Sequence, residues 1–440
     1  MVSSLTLTGG HVMDPASGFS ARADVFISDG QIVAIRPPGE HSPIGRAIAV
    51  DDLIVAPGLV DLHVHLREPG QTHKETIATG TRAAVAGGFT TVCCMPNTTP
   101  PLDRPGRICE VQQIIARDAA CYVHVIGSIS LDNDPERFAD ADALKAAGCV
   151  ALTDDAFPLV TQDQRREALH RAAQAGLPFV SHCEDKAISQ GAPVNEGETS
   201  RNLGLPGQPA EAESANARQW LQLAGLGARL HLAHVSTSGT VAALAEAFPQ
   251  WDGRLSAETA PHYFSLTDAA VLRAGSNAKM NPPLRSQQDA DAVREAVADG
   301  VLAAIATDHA PHTPDEKLEG HGDLAETVSR AAFGIIGLET ALGASLTALY
   351  HTGLMPLMAV LTRLTADPAR IFGLSCGCLG PGSRANVAIL DPSAEWTVDP
   401  SVFQSKSRNT PFAGMKLKGR VWGTVVNGRL AYLDGKMITD

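Results

Sequence analysis

Short apolar runs recur through the middle of the chain, at 58–63, 90–95, 122–127, 150–153, 179–182, 230–234, 255–259 and 302–306. Amphipathic stretches with helical spacing separate most of them, as at 75–86, 164–175, 210–226 and 240–247. Apolar runs bounded by turn residues read as buried strands, and the i, i+3, i+4 spacing between them reads as helix. Eight such strands with interleaved helices, spread over about 250 residues, predict an α/β fold of the (β/α)8 barrel type. An open doubly wound sheet is the alternative, but no Gly-x-Gly-x-x-Gly turn follows an early strand.

The two ends have a different texture. Residues 1–55 alternate apolar and polar positions, with Asp29-Gly30 between two such runs, which is a hairpin signal. The C-terminal part repeats the pattern at 385–390 and 421–429, and helical spacing is missing from both ends. The pattern predicts a small β-sandwich domain assembled from 1–55 and 376–440, flanking a catalytic barrel at 56–375.

Composition narrows the class. A chain of 440 residues with 44% hydrophobic content can bury a large core. The net charge of −13, without a basic run, speaks against nucleic acid and anionic membrane as partners. No apolar stretch reaches spanning length and no secretory pattern opens the chain, so a cytoplasmic location is expected. Among the eight cysteines, Cys93, Cys94, Cys121 and Cys149 fall in apolar runs and read as reduced, buried thiols. Cys376 and Cys378 are too close for an ordinary zinc knuckle and read as structural.

The residues that end the strands carry the chemistry. His63 and His65 close the first strand at i and i+2, so their rings share a side, and Arg67 follows with a guanidinium suited to a carboxylate. Asn97 follows the second strand and Asp154-Asp155 the fourth. His182 ends the fifth, His234 the sixth, and Asp308 follows the eighth. Four histidines with carboxylates at one barrel mouth form a costly polar cluster unless divalent metal occupies them. His231, three before His234, is expected to face the other way. His124 is expected to pack within its strand, and His262 is a candidate supporting residue. His170, His11, His41 and His351 lie outside the barrel-mouth segments.

These residues give the chain a resemblance to the class I dihydroorotases of the amidohydrolase superfamily. The match runs nearly end to end, through residues 57–70, 95–98, 153–155, 182–185, 195–198, 279–285 and 306–312. The first string is shared with the wider superfamily, whereas Asn97 after Met95-Pro96 and the Asn281-Pro282-Pro283-Leu284-Arg285 string are narrower. Ala156 departs from the family's usual glycine. The resemblance implies a binuclear zinc site, with His63, His65 and Asp308 on one ion, His182 and His234 on the other, and Asp155 and a hydroxide bridging. It favours Asp155 over Asp154 as the bridge.

It further implies reversible closure of N-carbamoyl-L-aspartate to dihydroorotate and water, a step of pyrimidine biosynthesis, with Asp308 shuttling the proton. His65, Arg67, Asn97, Asn281, His312 and the backbone of Phe333-Gly334 are then the expected substrate contacts. Aspartate transcarbamoylase and further copies of the chain are candidate protein partners. Two other readings compete. Hydantoinases and allantoinases use a carbamylated lysine at the end of strand four, yet no lysine occurs between Lys145 and Lys186, and Lys145 sits in a helical context. Catalytically silent paralogues that scaffold aspartate transcarbamoylase lack metal-binding histidines, whereas every ligand position is filled here.

Overall fold

The computed structural model describes residues 4–155, 157–320 and 322–438. Eight parallel strands follow one another in chain order around a barrel: Leu59–Val64, Phe89–Cys94, Tyr122–Ser128, Cys149–Thr153, Pro178–Ser181, Arg229–Leu232, Leu255–Thr259 and Ala304–Ile305. Every neighbouring pair is in parallel register. The last strand meets the first through a bridge between Val64 and His309, where the His65 N–H donates to the His309 carbonyl at 2.8 Å. Asp61 fastens the same seam lower down, accepting from the backbone of His63 and Thr307 at 3.0 and 3.1 Å. Burial pushes its carboxyl up to about 7.

The strands are buried nearly throughout because they are covered twice, by helices outside and by a packed interior inside. Val60, Leu62, Cys93, Ile126, Ala151 and Val180 fill that interior, and Phe372 joins them. The amphipathic stretches become the helices Ile77–Ala86, Gln162–Ala175, Glu211–Leu221 and Ser238–Trp251. Thr76, Thr161 and Thr237 cap three of these, each accepting from a backbone N–H of the first turn.

Strands from both termini form one nine-stranded sheet. Ile54–Pro57 joins the halves, pairing with Ser4–Asp14 on one side and Val387–Thr397 on the other. Phe19–Ser28 and Gln31–Arg36 make the expected hairpin, with Asp29 and Gly30 both at positive φ as a tight turn of this kind requires. The sheet encloses its own core of Leu7, Val25, Ile32, Val387, Ile389 and Val425. The C-terminal segment then returns to the barrel, where Phe403 and Phe412 are buried in the main core. No helix among the described residues is long and apolar enough to cross a membrane.

Candidate metal and substrate site

Polar side chains that the sequence scatters over 250 positions converge at the carboxyl ends of the strands. His63 and His65 stand 5.2 Å apart ring to ring, as their i, i+2 spacing on a strand dictates. The Nε2 atom of His63 lies 3.8 Å from Asp155 Oδ1 and 3.5 Å from Asp308 Oδ1. His65 Nε2 is 3.0 Å from Asp308 and 3.8 Å from Asp155 Oδ2. On the far side of Asp155, His182 Nδ1 and His234 Nε2 face each other at 2.9 Å, 3.7 and 3.9 Å from Asp155 Oδ1.

Two ligand groups result, His63–His65–Asp155 and Asp155–His182–His234, and Asp155 belongs to both. All five side chains are buried. His63 Nε2 is a buried ring nitrogen with no hydrogen-bond partner, as a lone pair meant for a metal would be. Burial disfavours ionisation of Asp155 and Asp308, yet the surrounding histidines outweigh it and hold both carboxyls well below their ordinary range. The same balance read from His63 pushes that imidazole up to about 10, against the opposing effect of burial, through Asp308, Glu258 and Asp155. Ionised oxygens and imidazole nitrogens gathered this closely suit divalent cations of borderline softness.

Asp154, the other carboxylate of the pair, points elsewhere. It accepts from the backbone of Leu159 at 3.1 Å and of His182 at 3.0 Å, tying the loop after strand four to the carboxyl end of strand five. Ala156 lies outside the described residues.

A cavity of about 590 Å³ opens above the cluster, lined by Arg67, Asn97, Asn281, His312, Phe333 and Gly334 among others. That volume suits a small organic substrate. Arg67 is buried, with Nε donating to the Pro311 carbonyl and a terminal nitrogen donating to His312 Nε2, both at 3.2 Å. His312 Nδ1 lies 3.2 Å from Glu316, and burial together with the Arg67 and Lys74 charges keeps the imidazole neutral. Asn97 bridges His65 Nδ1 at 2.8 Å and Asp155 Oδ2 at 2.9 Å, so both ends of its amide serve the ligand groups. Asn281 donates to Glu184 Oε2 at 3.1 Å and accepts from Gln208 at 3.2 Å. Phe333 is exposed at the rim under the Lys279 ammonium, 4.3 Å from its ring, and the Gly334 N–H donates to the Lys279 carbonyl. A Cβ on Gly334, at φ +136°, would meet Ala310 at 2.8 Å, so glycine lets that backbone edge the cavity.

One expectation needs correcting and several residues went unforeseen. His231 does not face away: it is buried inside the barrel, 3.2 Å from Glu258, whose other oxygen is 3.3 Å from His63 Nδ1. Strict alternation fails because the strand ends at Leu232 and His234 adopts a left-handed φ of 37°, which resets the parity between the two histidines. His262 is buried against Tyr263 with Nε2 unpartnered, and burial lowers it to about 4. Glu184, Glu258, Gln208, Lys317 and Asn409 join the surroundings of the site from distant positions. Glu184 lies in the 182–185 string two residues after His182, whereas the other four sit outside the strings that carry the resemblance.

Residues 52–240 match the family model described as dihydro-orotase-like. A dihydroorotase of Pelotomaculum thermopropionicum is 45% identical over 433 residues, covering 98% of this chain and 99% of that one. A dihydroorotase of Anaeromyxobacter dehalogenans is 45% identical over 438 residues, covering 98% of each. Among solved structures, an L-hydantoinase from Arthrobacter aurescens superposes with a TM-score of 0.88 at 24% identity, covering 100% of this chain and 98% of that one. A dihydropyrimidinase from Brevibacillus agri gives 0.85 at 21%, covering 99% and 96%. At such identities the two structures speak for the fold alone.

Proposed function

This chain belongs to the dihydroorotase family, and from that footing we propose that it interconverts N-carbamoyl-L-aspartate and dihydroorotate at a site holding two zinc ions. The observation that carries the reading is Asp155, one carboxylate common to two histidine groups. In this reading His63, His65 and Asp308 would hold one ion and His182 and His234 the other, with the Asp155 carboxylate available to both. Bound there, the ions would lower the pKa of a water and polarise the carbonyl under attack.

The chain's own groups do the rest. Arg67 supplies a charged, preorganised fork to the substrate carboxylate, and His312 fixes that fork in place. Asn281 and the backbone at Phe333-Gly334 line the same cavity and would meet the ring amide. In the hydrolytic direction an oxygen–carbon bond forms as the ring carbon–nitrogen bond breaks. Asp308 takes the proton of the attacking water and passes it to the departing nitrogen; the reverse path closes the ring. Burial of the whole cluster keeps bulk water from competing for that proton.

The hydantoinase alternative requires a lysine where Asp155 stands. Lys145 instead runs along its helix to the other end of the barrel, donating to the Ala175 carbonyl at 2.5 Å just ahead of strand five. The zinc-loaded chain should hydrolyse dihydroorotate by itself, and Asp155→Ala should abolish most of that activity. Turnover of hydantoin with none of dihydroorotate would refute the assignment. Oligomer formation and association with aspartate transcarbamoylase remain proposals that size measurement and co-purification test.

A further inference from the structure

Behind the ligand groups lies a buried polar chain with no place in the mechanism so far. Glu258, on strand seven, is fully buried inside the barrel, with each oxygen toward one imidazole. Oε1 lies 3.3 Å from His63 Nδ1, and Oε2 lies 3.2 Å from His231 Nε2. The chain continues to Ser256, whose hydroxyl is 2.8 Å from His231 Nδ1, and His231 is braced edge-on by Phe372. Around it the interior is apolar, with Val60, Ala151 and Ala233 close-packed in one cluster.

A carboxylate in such surroundings is expensive, because its desolvation is repaid only by well-placed donors. The His63 imidazole hydrogen-bonds one oxygen, the other oxygen faces the His231 imidazole at ion-pair distance, and only His63 reaches the ligand groups. A neutral imidazole carries its proton on one nitrogen, and the partner of that nitrogen decides which. A proton on Nδ1 aimed at Glu258 leaves the Nε2 lone pair of His63 facing Asp155 and Asp308, where it has no other partner. His231 Nε2 faces the other Glu258 oxygen from behind at 3.2 Å, within ion-pair reach.

We propose that Glu258 is a positioning residue that locks His63 in its metal-ligating tautomer, with His231 and Ser256 as its anchor. The inference rests on the reading of His63 as a ligand and adds an inner layer to that site. Removing such a partner of a ligating histidine typically weakens metal binding by about 10–100-fold.

The test is the zinc dissociation constant, measured by chelator competition on the full chain, beside the melting temperature of each metal-free variant. Glu258→Leu should bind zinc at least about tenfold more weakly. Glu258→Gln keeps an acceptor for the Nδ1 proton and a donor for His231, so it should stay within about threefold of the parent. Should the leucine variant not fold, Glu258→Ala takes its place in the same comparison. Zinc affinity unchanged in Glu258→Leu, or a glutamine variant as weak as the leucine one, overturns the proposal. A purely structural role would lower the metal-free melting temperature and leave affinity alone. His63→Asn, measured in parallel, separates the two levels: parental affinity there sinks the site assignment itself, whereas a loss there with none in Glu258→Leu sinks only this inference.

Discussion

Arg67 occupies a left-handed backbone conformation, φ 62°, as do His234 and Asp308, at 37° and 47°. Non-glycine residues take that region at a cost, and here three of them are grouped at one barrel mouth, where such strain usually belongs to function. The guanidinium of Arg67 is held by Pro311 and His312, so a lysine there could reach the substrate but not grip it in two places. Arg67→Lys should raise KM for dihydroorotate at least about tenfold, a loss of about 1.5–3 kcal/mol, with bound metal unchanged. An unchanged KM would remove Arg67 from the substrate. Burial brings Arg67 down to about 10 and holds His312 neutral, so neither of these two groups changes charge between about pH 6 and 9. The Arg67–His312 pair should therefore leave KM unchanged near the ordinary histidine pKa of about 6.5 and raise it only as the guanidinium loses its proton; a break near 6.5 would show His312 titrating, and one near 8 the Lys279 ammonium at the rim. Asp308→Asn keeps a ligand atom but cannot carry a proton, so kcat should fall about a hundredfold or more, and turnover within tenfold of the parent would mean another group moves the proton. Single residues of this kind were legible in the sequence because they end apolar strands. His231 was not, since a backbone kink at His234 breaks the alternation on which its direction was judged.

Among the elements, the strands were legible from their apolar runs and four major helices from their periodicity, with ends displaced by a few residues. What the sequence could not show is how loops hold one another. Lys317, fully buried, donates to the carbonyls of Lys279, Ala332 and Gly334 at 3.1, 2.8 and 2.9 Å. One ammonium thus joins the loop after strand eight to the segment leading into Asn281 and to the Gly334 edge of the cavity. A lone lysine in a polar loop reads as solvated until the fold wraps three carbonyls around it. Lys317→Met should lower unfolding stability by about 2–4 kcal/mol and raise KM several-fold while sparing kcat, because it loosens the wall without touching the ligand groups. Denaturant titration and steady-state kinetics check both; a variant with parental KM would make the lysine a packing group only.

For the molecule as a whole, we propose a division into an end-built β unit at 1–55 with 376–440 and a barrel at 56–375; the sheet has a core of its own. The boundary is not a clean cut. Asn409, far beyond it, donates to Ala310 and Gly334 and accepts from the His312 backbone, so the C-terminal segment braces the active-site loops. Contacts of this range, about a hundred residues apart for Asn409 and His312, leave no local pattern to read. The fold is likewise silent on the reaction, since hydantoinase and dihydropyrimidinase structures superpose on it closely. The residue between the two histidine groups separates them. In the proposed site Asp155 is encoded and its carboxyl is held low, so metal but no carbon dioxide would be needed for assembly. The most direct measurement is dihydroorotate hydrolysis by chelator-stripped protein given zinc in carbonate-free buffer, with and without added bicarbonate. Equal recovery in both is the expected result; recovery that depends on bicarbonate would contradict an aspartate bridge and return the chain to the lysine-carbamate enzymes.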